Sequence, residues 1–506
     1  MTLPVNLGKL IDRNRPLNKI AVINFDGSHV REVSYDELDA LADGVARALV
    51  ARGYSRGDRI AILSSNNSES LAAYLGIMRA GMVSVPINFR LPRNLVEYIV
   101  EDCGARLVFC DTDRRPMVPA GVETINFDDA DAFQAFVDRG PFAAVAPRKD
   151  DPSTFLYTSG STGRPKGVIL SHDAQLWVVR IRLGSRNIED QRFLIAAPLY
   201  HMNALALSHL VFAGHASMVL MPLFRVKPYV DAISRFHCTW LTSVPPMVAM
   251  MFNDKEAMAR ADLSSVQSLR MGSAPASEVL LDDIKHNIPQ ARVMNVYGTT
   301  EGSPIVFAPH PDGRPTPHLS LGYKHPLVDL RLIDAEGKES NQGVLQLRSP
   351  GLMNGYHNRP DIPAPITADG YYTTGDVFRR DADGFYYFIG RADDMFVCGG
   401  ENIFPGVVER MLETHPDVMD ACVVPIDDPI KGKKPVAFVR LAPGAKTTAT
   451  ALKAYALEHG AAYQHPRNIW FLDAFPLAST NKVDRAALMR RAQSLSTVER
   501  APSAAA

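Results

Sequence analysis

Tyr157-Thr158-Ser159-Gly160-Ser161-Thr162-Gly163-Arg164-Pro165-Lys166-Gly167 runs from an apolar strand-like segment into a loop with three glycines, four Ser or Thr hydroxyls and one lysine. Glycines let backbone N–H groups approach phosphate oxygens, hydroxyls add donors, and the lysine adds positive charge. The order is not that of a Walker A loop, G-x-x-x-x-G-K-[ST], because Lys166 follows Pro165 and precedes Gly167. On the N-terminal side, short apolar strands at 59–63, 82–86 and 106–110 alternate with helices at 70–80 and 95–102. That rhythm favours sheets covered by helices. On the C-terminal side, 322–388 turns to short strands separated by Gly, Asp and Pro, a β-rich texture. After Gly390-Arg391 a further α/β unit begins, with helices at 407–414, 450–459 and 484–493 and strands at 421–424 and 436–439.

The composition bounds what such a chain does. Its 506 residues are 46% apolar and 22% charged, an ordinary globular mixture that excludes a disordered or fibrous protein. Fifty-four basic against 55 acidic residues leave a net charge of -1, so there is no footprint for nucleic acid or anionic lipid. No secretory signal is expected from Met1-Thr2-Leu3-Pro4-Val5-Asn6. The five cysteines form no C-x-x-C pair, which fits neither a zinc site nor a disulfide framework and points to a reducing cytoplasm. The charge-free run 203–224 is long enough to span a bilayer, yet it carries His209, His215, Gly214 and Pro222. We read it as a buried helix at 205–212 and a buried strand at 217–221, with no membrane span.

The loop at 157–167 resembles the phosphate loop of the adenylate-forming superfamily, which includes acyl- and aryl-CoA synthetases, luciferases and the adenylation domains of peptide synthetases. Further motifs follow in that family's order. Pro198-Leu199-Tyr200-His201 resembles its acyl-site segment and Tyr297-Gly298-Thr299-Thr300-Glu301 its Y-G-x-T-E motif. Tyr372-Thr373-Thr374-Gly375-Asp376 matches Y-x-T-G-D, Gly390-Arg391-Ala392-Asp393-Asp394 the G-R-x-D-D hinge, and Asn481-Lys482-Val483-Asp484-Arg485 the C-terminal lysine motif. Gly399-Gly400-Glu401-Asn402-Ile403 is similar to the form found in chlorobenzoate- and benzoate-type CoA ligases.

The resemblance implies an α/β fold. A large N-terminal domain of two helix-covered sheets plus a β-rich subdomain (1–391) precedes a hinge (392–395), a small mobile α+β C-terminal domain (396–493) and a disordered tail (494–506). It also implies an ATP-dependent acid:CoA ligase that forms an acyl-adenylate and then a thioester, with ATP, Mg²⁺ and coenzyme A. Thr158, Ser159, Gly160, Ser161, Thr162, Gly163 and Lys166 would hold phosphates; Gly272, Ser273, Ala274, Pro275, Tyr297, Gly298, Thr299 and Thr300 would surround the nucleotide. Asp376 and Arg391 would take the ribose, and Glu301 the metal, as a hard oxygen ligand suited to Mg²⁺. Lys482, an ordinary solvated lysine when read alone, becomes the catalytic cation between carboxylate and α-phosphate, with Thr158, Glu301 and His201 beside it. Asp393 would be the hinge residue. Gly399, Gly400, Glu401, Tyr463, His465 and Arg90 would meet coenzyme A, although His465 replaces a usual Arg or Lys and Lys431 a usual Trp.

The acyl pocket is expected from His201, Met202, Ala204, Met271 and Asn295. The segments 201–209, 243–248, 271–276 and 295–302 contain neither Arg nor Lys, so a second carboxylate on the acid is not expected. An aromatic or medium-chain monocarboxylic acid fits these segments. A longer-chain fatty acyl-CoA synthetase and an enzyme that loads a carrier protein remain alternatives, and a homodimer is left open.

Overall fold

The computed structural model describes residues 3–159, 164–184, 186–272, 276, 278–361, 365–398, 401–428, 430–478 and 482–500. Four sheets organise it. The first has seven strands, in the order Arg292–Asn295, Ser268–Met271, Trp240–Ser243, Arg192–Ile195, Ser217–Leu220, Ile20–Phe25 and Val30–Ser34. All its pairings are parallel except the last hairpin. The second has six strands, parallel from Glu123–Asn126 through Leu107–Cys110, Arg59–Leu63 and Val83–Pro86 to Pro152–Ser159, which turns back on Pro165–Ser171. The glycine-rich segment therefore connects two antiparallel strands paired up to Ser159 and Pro165, and its residues 160–163 lie outside the described residues.

Parallel strands buried on both faces read as continuous apolar runs. Arg59–Leu63 does so, at the bounds expected from the sequence. The helices Tyr35–Ala51, Ser68–Arg79, His172–Leu183 and Met202–Ala213 contribute to one core shared with strands of both sheets. Eleven residues of Met202–Ala213 are buried, which explains why this stretch carries no charge. Within this core the guanidinium of Arg79 meets Asp39 and Asp43, so its burial is fully compensated.

The β-rich region is a six-stranded antiparallel sheet that includes Tyr372–Arg380 and Phe385–Arg391. The C-terminal sheet is built on the long antiparallel pair Val418–Asp428 and Gly432–Leu441, with helices Pro405–Glu413, Ala449–His459 and Arg485–Arg500. The last helix runs beyond residue 493, so 494–500 are helical rather than the disordered tail expected; 501–506 lie outside the described residues. Among the described residues, no helix is long and apolar enough to cross a membrane.

Candidate active site

Ligands of open α/β sheets bind beyond the carboxyl ends of the parallel strands. Four neighbouring strands of the seven-stranded sheet end at Ile195, Ser243, Met271 and Asn295. The segments that follow them, with Pro198 and His201, Val244 and Pro245, Gly272, and Tyr297 through Glu301, line one cleft of about 2140 Å³. The β-rich sheet contributes Asp376 and Arg391, and the C-terminal part contributes Lys482. The turn at Gly298 is crowded: a Cβ there would lie 2.6 Å from Pro304 Cα and 2.9 Å from the Ser303 carbonyl. Thr299 Oγ1 accepts from the Gly302 N–H at 2.8 Å and holds that turn closed.

Asp376 is buried on the strand Tyr372–Arg380, directly after Gly375, whose φ of +74° few side chains tolerate. The Tyr297 hydroxyl donates to Asp376 Oδ2, and Arg391 Nη1 lies 3.3 Å from Oδ1. Burial pushes the Asp376 carboxyl upward, while the Tyr297 hydrogen bond and the Arg391 charge oppose it. Arg391 also donates to Asp393 through Nε and Nη2, at 2.8 and 3.1 Å.

The backbone of Lys482 is fixed by the Ala478 N–H, which donates to its carbonyl at 2.7 Å, beside the antiparallel Leu477–Val483 bridge. Burial lowers its ammonium, with Asp376 opposing and Arg391 adding to the effect. His201 caps the N-terminus of Met202–Ala213 and packs edge-on against Tyr200. Burial, then the charges of Lys482 and Arg90, push it down to about 4, so the imidazole is neutral at physiological pH. Glu301 Oε1 accepts from Thr158 Oγ1 and from the Tyr356 hydroxyl, each at 3.3 Å. Lys166 Nζ lies 4.7 Å from the centre of the Tyr356 ring. Tyr356 has no local signal in the sequence; it reaches Glu301 only through the tertiary fold.

His201, Met202 and Asn295 line the cleft as expected, but Ala204 and Met271 are buried in the apolar cores. Side chains alternate along a strand, so Met271 faces away while Arg270, one residue earlier, faces the cleft. The expectation of a pocket without Arg or Lys is therefore wrong. Arg270 immediately precedes the segment 271–276, and no local pattern in the sequence marks it as facing the cleft.

For coenzyme A, Tyr463 and Glu401 line the cleft, and His465 contacts Arg467. Burial and the charges of Arg467, Lys453 and Lys431 lower His465, so these side chains form one basic patch. Arg90 lies against Phe89. Glu401 is exposed, and among the described residues no hydrogen bond or ion pair joins it to His201. Gly160, Ser161, Thr162, Gly163, Ser273, Ala274, Pro275, Gly399 and Gly400 lie outside the described residues, as does the side chain of Ser159.

The family model for AMP-binding enzymes matches residues 11–357, and that for the AMP-binding enzyme C-terminal domain matches 407–482. A fatty acid--[acyl-carrier-protein] ligase, ScoC of Streptomyces coeruleorubidus, is 31% identical over 91% of this chain and 92% of its own. A sulfoacetate--CoA ligase of Cupriavidus necator is 28% identical over 94% of this chain and 95% of its own. The crystal structure of the anthranilate CoA ligase AuaEII with anthranoyl-AMP superposes with a TM-score of 0.88 at 27% identity, covering 98% of this chain and 99% of that one. The chain belongs to the AMP-binding enzyme family.

Proposed function

We propose that this AMP-binding enzyme is an ATP-dependent acid:CoA ligase, with the roles of its residues as follows. A carboxylate oxygen of the acid attacks the α-phosphorus of ATP in line, the bond to the β-phosphate oxygen breaks, and pyrophosphate leaves. Two anions must meet for this step, and the Lys482 ammonium, attracted by the buried Asp376 carboxylate and facing a neutral His201, supplies the positive charge at their meeting point. Asp376 and Arg391 take the ribose, and the Tyr297 ring gives adenine an apolar face. Glu301 would hold Mg²⁺, whose charge offsets that of the phosphates when bound; a single carboxylate suits an ion that keeps phosphates and waters as its other ligands.

In the second step the coenzyme A sulfur attacks the acyl carbon of the mixed anhydride and AMP leaves. We infer that residues 1–391 and 396–493 act as two bodies that rotate about Asp393 between the steps. That motion would withdraw Lys482 and bring Glu401 to pair with His201, opening a path for the thiol. Tyr463, His465 and Arg90 then meet coenzyme A.

The observation that carries this reading is the convergence of Lys482, Asp376, Arg391, Glu301 and His201 on one cleft at the carboxyl ends of parallel strands. An acid-dependent ATP–pyrophosphate exchange assay tests it. Exchange with a suitable acid, and AMP release that requires coenzyme A for turnover, is expected; absence of exchange with every acid contradicts it. The likeness to the carrier-protein ligase ScoC favours a second reading, in which a carrier's pantetheine replaces coenzyme A. Turnover with a carrier protein but not with coenzyme A would establish that alternative.

A further inference from the structure

Two neighbouring guanidinium groups, one lining the acyl side of the cleft and one behind it, have no acid to balance them among the described residues. Arg270, from the strand Ser268–Met271, lines the cleft, is only 8% exposed, and donates through Nη1 to Asn203 Oδ1. Arg182, from the helix His172–Leu183, is also 8% exposed, and among the described residues its Nη1 and Nη2 have no hydrogen-bond partner. The Asn203 amide nitrogen and His209 Nδ1 are likewise buried and, among the described residues, unpartnered. Arg182 feels the charges of Arg270 and Arg186, and His209 feels that of Arg182, so the group forms one electropositive patch. Among the described residues, no carboxylate contributes to the charge environment of either Arg182 or Arg270.

This is the opposite of Arg79, a fully buried guanidinium that carries two aspartates of its own. A buried charge without a partner is strongly unfavourable, and two like charges add repulsion. Burial lowers Arg270 to about 10, which still leaves it charged at neutral pH. Three donor atoms, one histidine ring nitrogen and two cations at and behind one end of a ligand cleft, all without an acceptor or counter-charge among the described residues, call for an anion from outside the chain.

We propose that the acid activated here carries a second anionic group, a carboxylate or a sulfonate, which seats on Arg270 with Arg182 behind it. The planar guanidinium fork suits either group. Asn203, which touches Arg270, lies in the first turn of the helix that His201 caps. One helical turn rises about 5.4 Å, so a short bridge between the two acidic ends is enough. The proposal rests on the ligase reading only for which end reacts.

The full-length chain is titrated calorimetrically with straight-chain monoacids, with diacids and sulfo-acids of equal length, and with benzoate against its dicarboxylates. The same acids are run in ATP–pyrophosphate exchange. A doubly anionic acid should bind at least about tenfold tighter than its monoacid, and the ratio should collapse in Arg270→Met and in Arg182→Met. Whether carboxylates or sulfonates gain more identifies the second group. Arg182→Met should also melt no lower than the parent, because it removes an unpaired charge. Monoacids that match their diacids, a preference that survives both substitutions, or no binding of any doubly anionic acid would overturn the proposal. So would an Arg182→Met protein that fails to fold or melts well below the parent, since Arg182 would then be structural. A preference for diacids in binding, with no exchange from any acid, would uphold the anion site and sink the ligase reading instead.

Discussion

The two sides of the cleft handle charge in opposite ways. Around Asp376 the charges balance internally: Tyr297 donates to it, Arg391 faces it, and Asp393 holds Arg391 from behind. Around Arg270 and Arg182 they do not balance among the described residues, and donors are left there without acceptors. A set of groups that satisfies itself keeps its geometry before any ligand arrives and suits a substrate that never changes. A set that is incomplete selects the ligand that completes it. On the reading proposed above, the first side would carry the nucleotide chemistry and the second the choice of acid.

The largest effect should come from Lys482, which serves the reaction rather than either side. Lys482→Ala is expected to lower acyl-AMP formation by roughly a hundredfold or more while sparing thioester formation from supplied acyl-AMP. Rapid-quench measurement of both half-reactions checks this, and equal losses would make Lys482 structural. Next comes Asp376→Asn, which leaves Arg391 facing a neutral amide. The KM for ATP should rise about tenfold or more, with the KM for the acid little changed. If both constants move together, the two sides are not independent.

A smaller change is expected from Glu301→Gln, in which an amide keeps the shape but not the charge. The Mg²⁺ concentration for half-maximal exchange should rise severalfold, and an unchanged magnesium curve would remove Glu301 from the metal. The smallest effect concerns pH and falls on the acyl side. Burial is the first cause that pushes His201 down to about 4 and His209 to about 3, from an ordinary 6.5. The unfolded chain therefore takes up protons below pH 6.5 that the folded chain refuses. Their contribution is fully present above 6.5 and is lost as pH falls toward 4, by roughly 1 kcal/mol for the fully buried His209 at pH 5.5. Thermal melts from pH 7 to 5 should fall less steeply in His209→Phe than in the parent.

The same contrast explains what could be read from the sequence. Asp376, Arg391 and Lys482 were legible because each sits in a short motif with a fixed neighbourhood. By local physics alone Lys482 looks like any loop lysine, and only the order of motifs along the chain marks it out. Arg270 and Arg182 belong to no motif. Arg270 is set on the cleft face by strand alternation, where a one-residue error turns every side chain to the other side. Arg182 lies in Trp177-Val178-Val179-Arg180-Ile181-Arg182-Leu183, which reads as a half-exposed helix until the strands packed against it are known. Ala204 is equally illegible, because a helix buried on nearly every face offers no polar stripe to show which side meets the cleft. The elements themselves were easier: helices at 70–80 and 95–102 correspond to Ser68–Arg79 and Arg93–Cys103, within the usual uncertainty of helix ends.

The central claim is that one cleft makes an acyl-adenylate before it makes a thioester. A single-turnover experiment with α-phosphate-labelled ATP and a cognate acid, without coenzyme A, tests it directly. The account predicts release of pyrophosphate and label retained on the enzyme as acyl-AMP, which coenzyme A then converts to thioester and free AMP. Release of ADP and phosphate, or no labelled adenylate until coenzyme A is added, would contradict it.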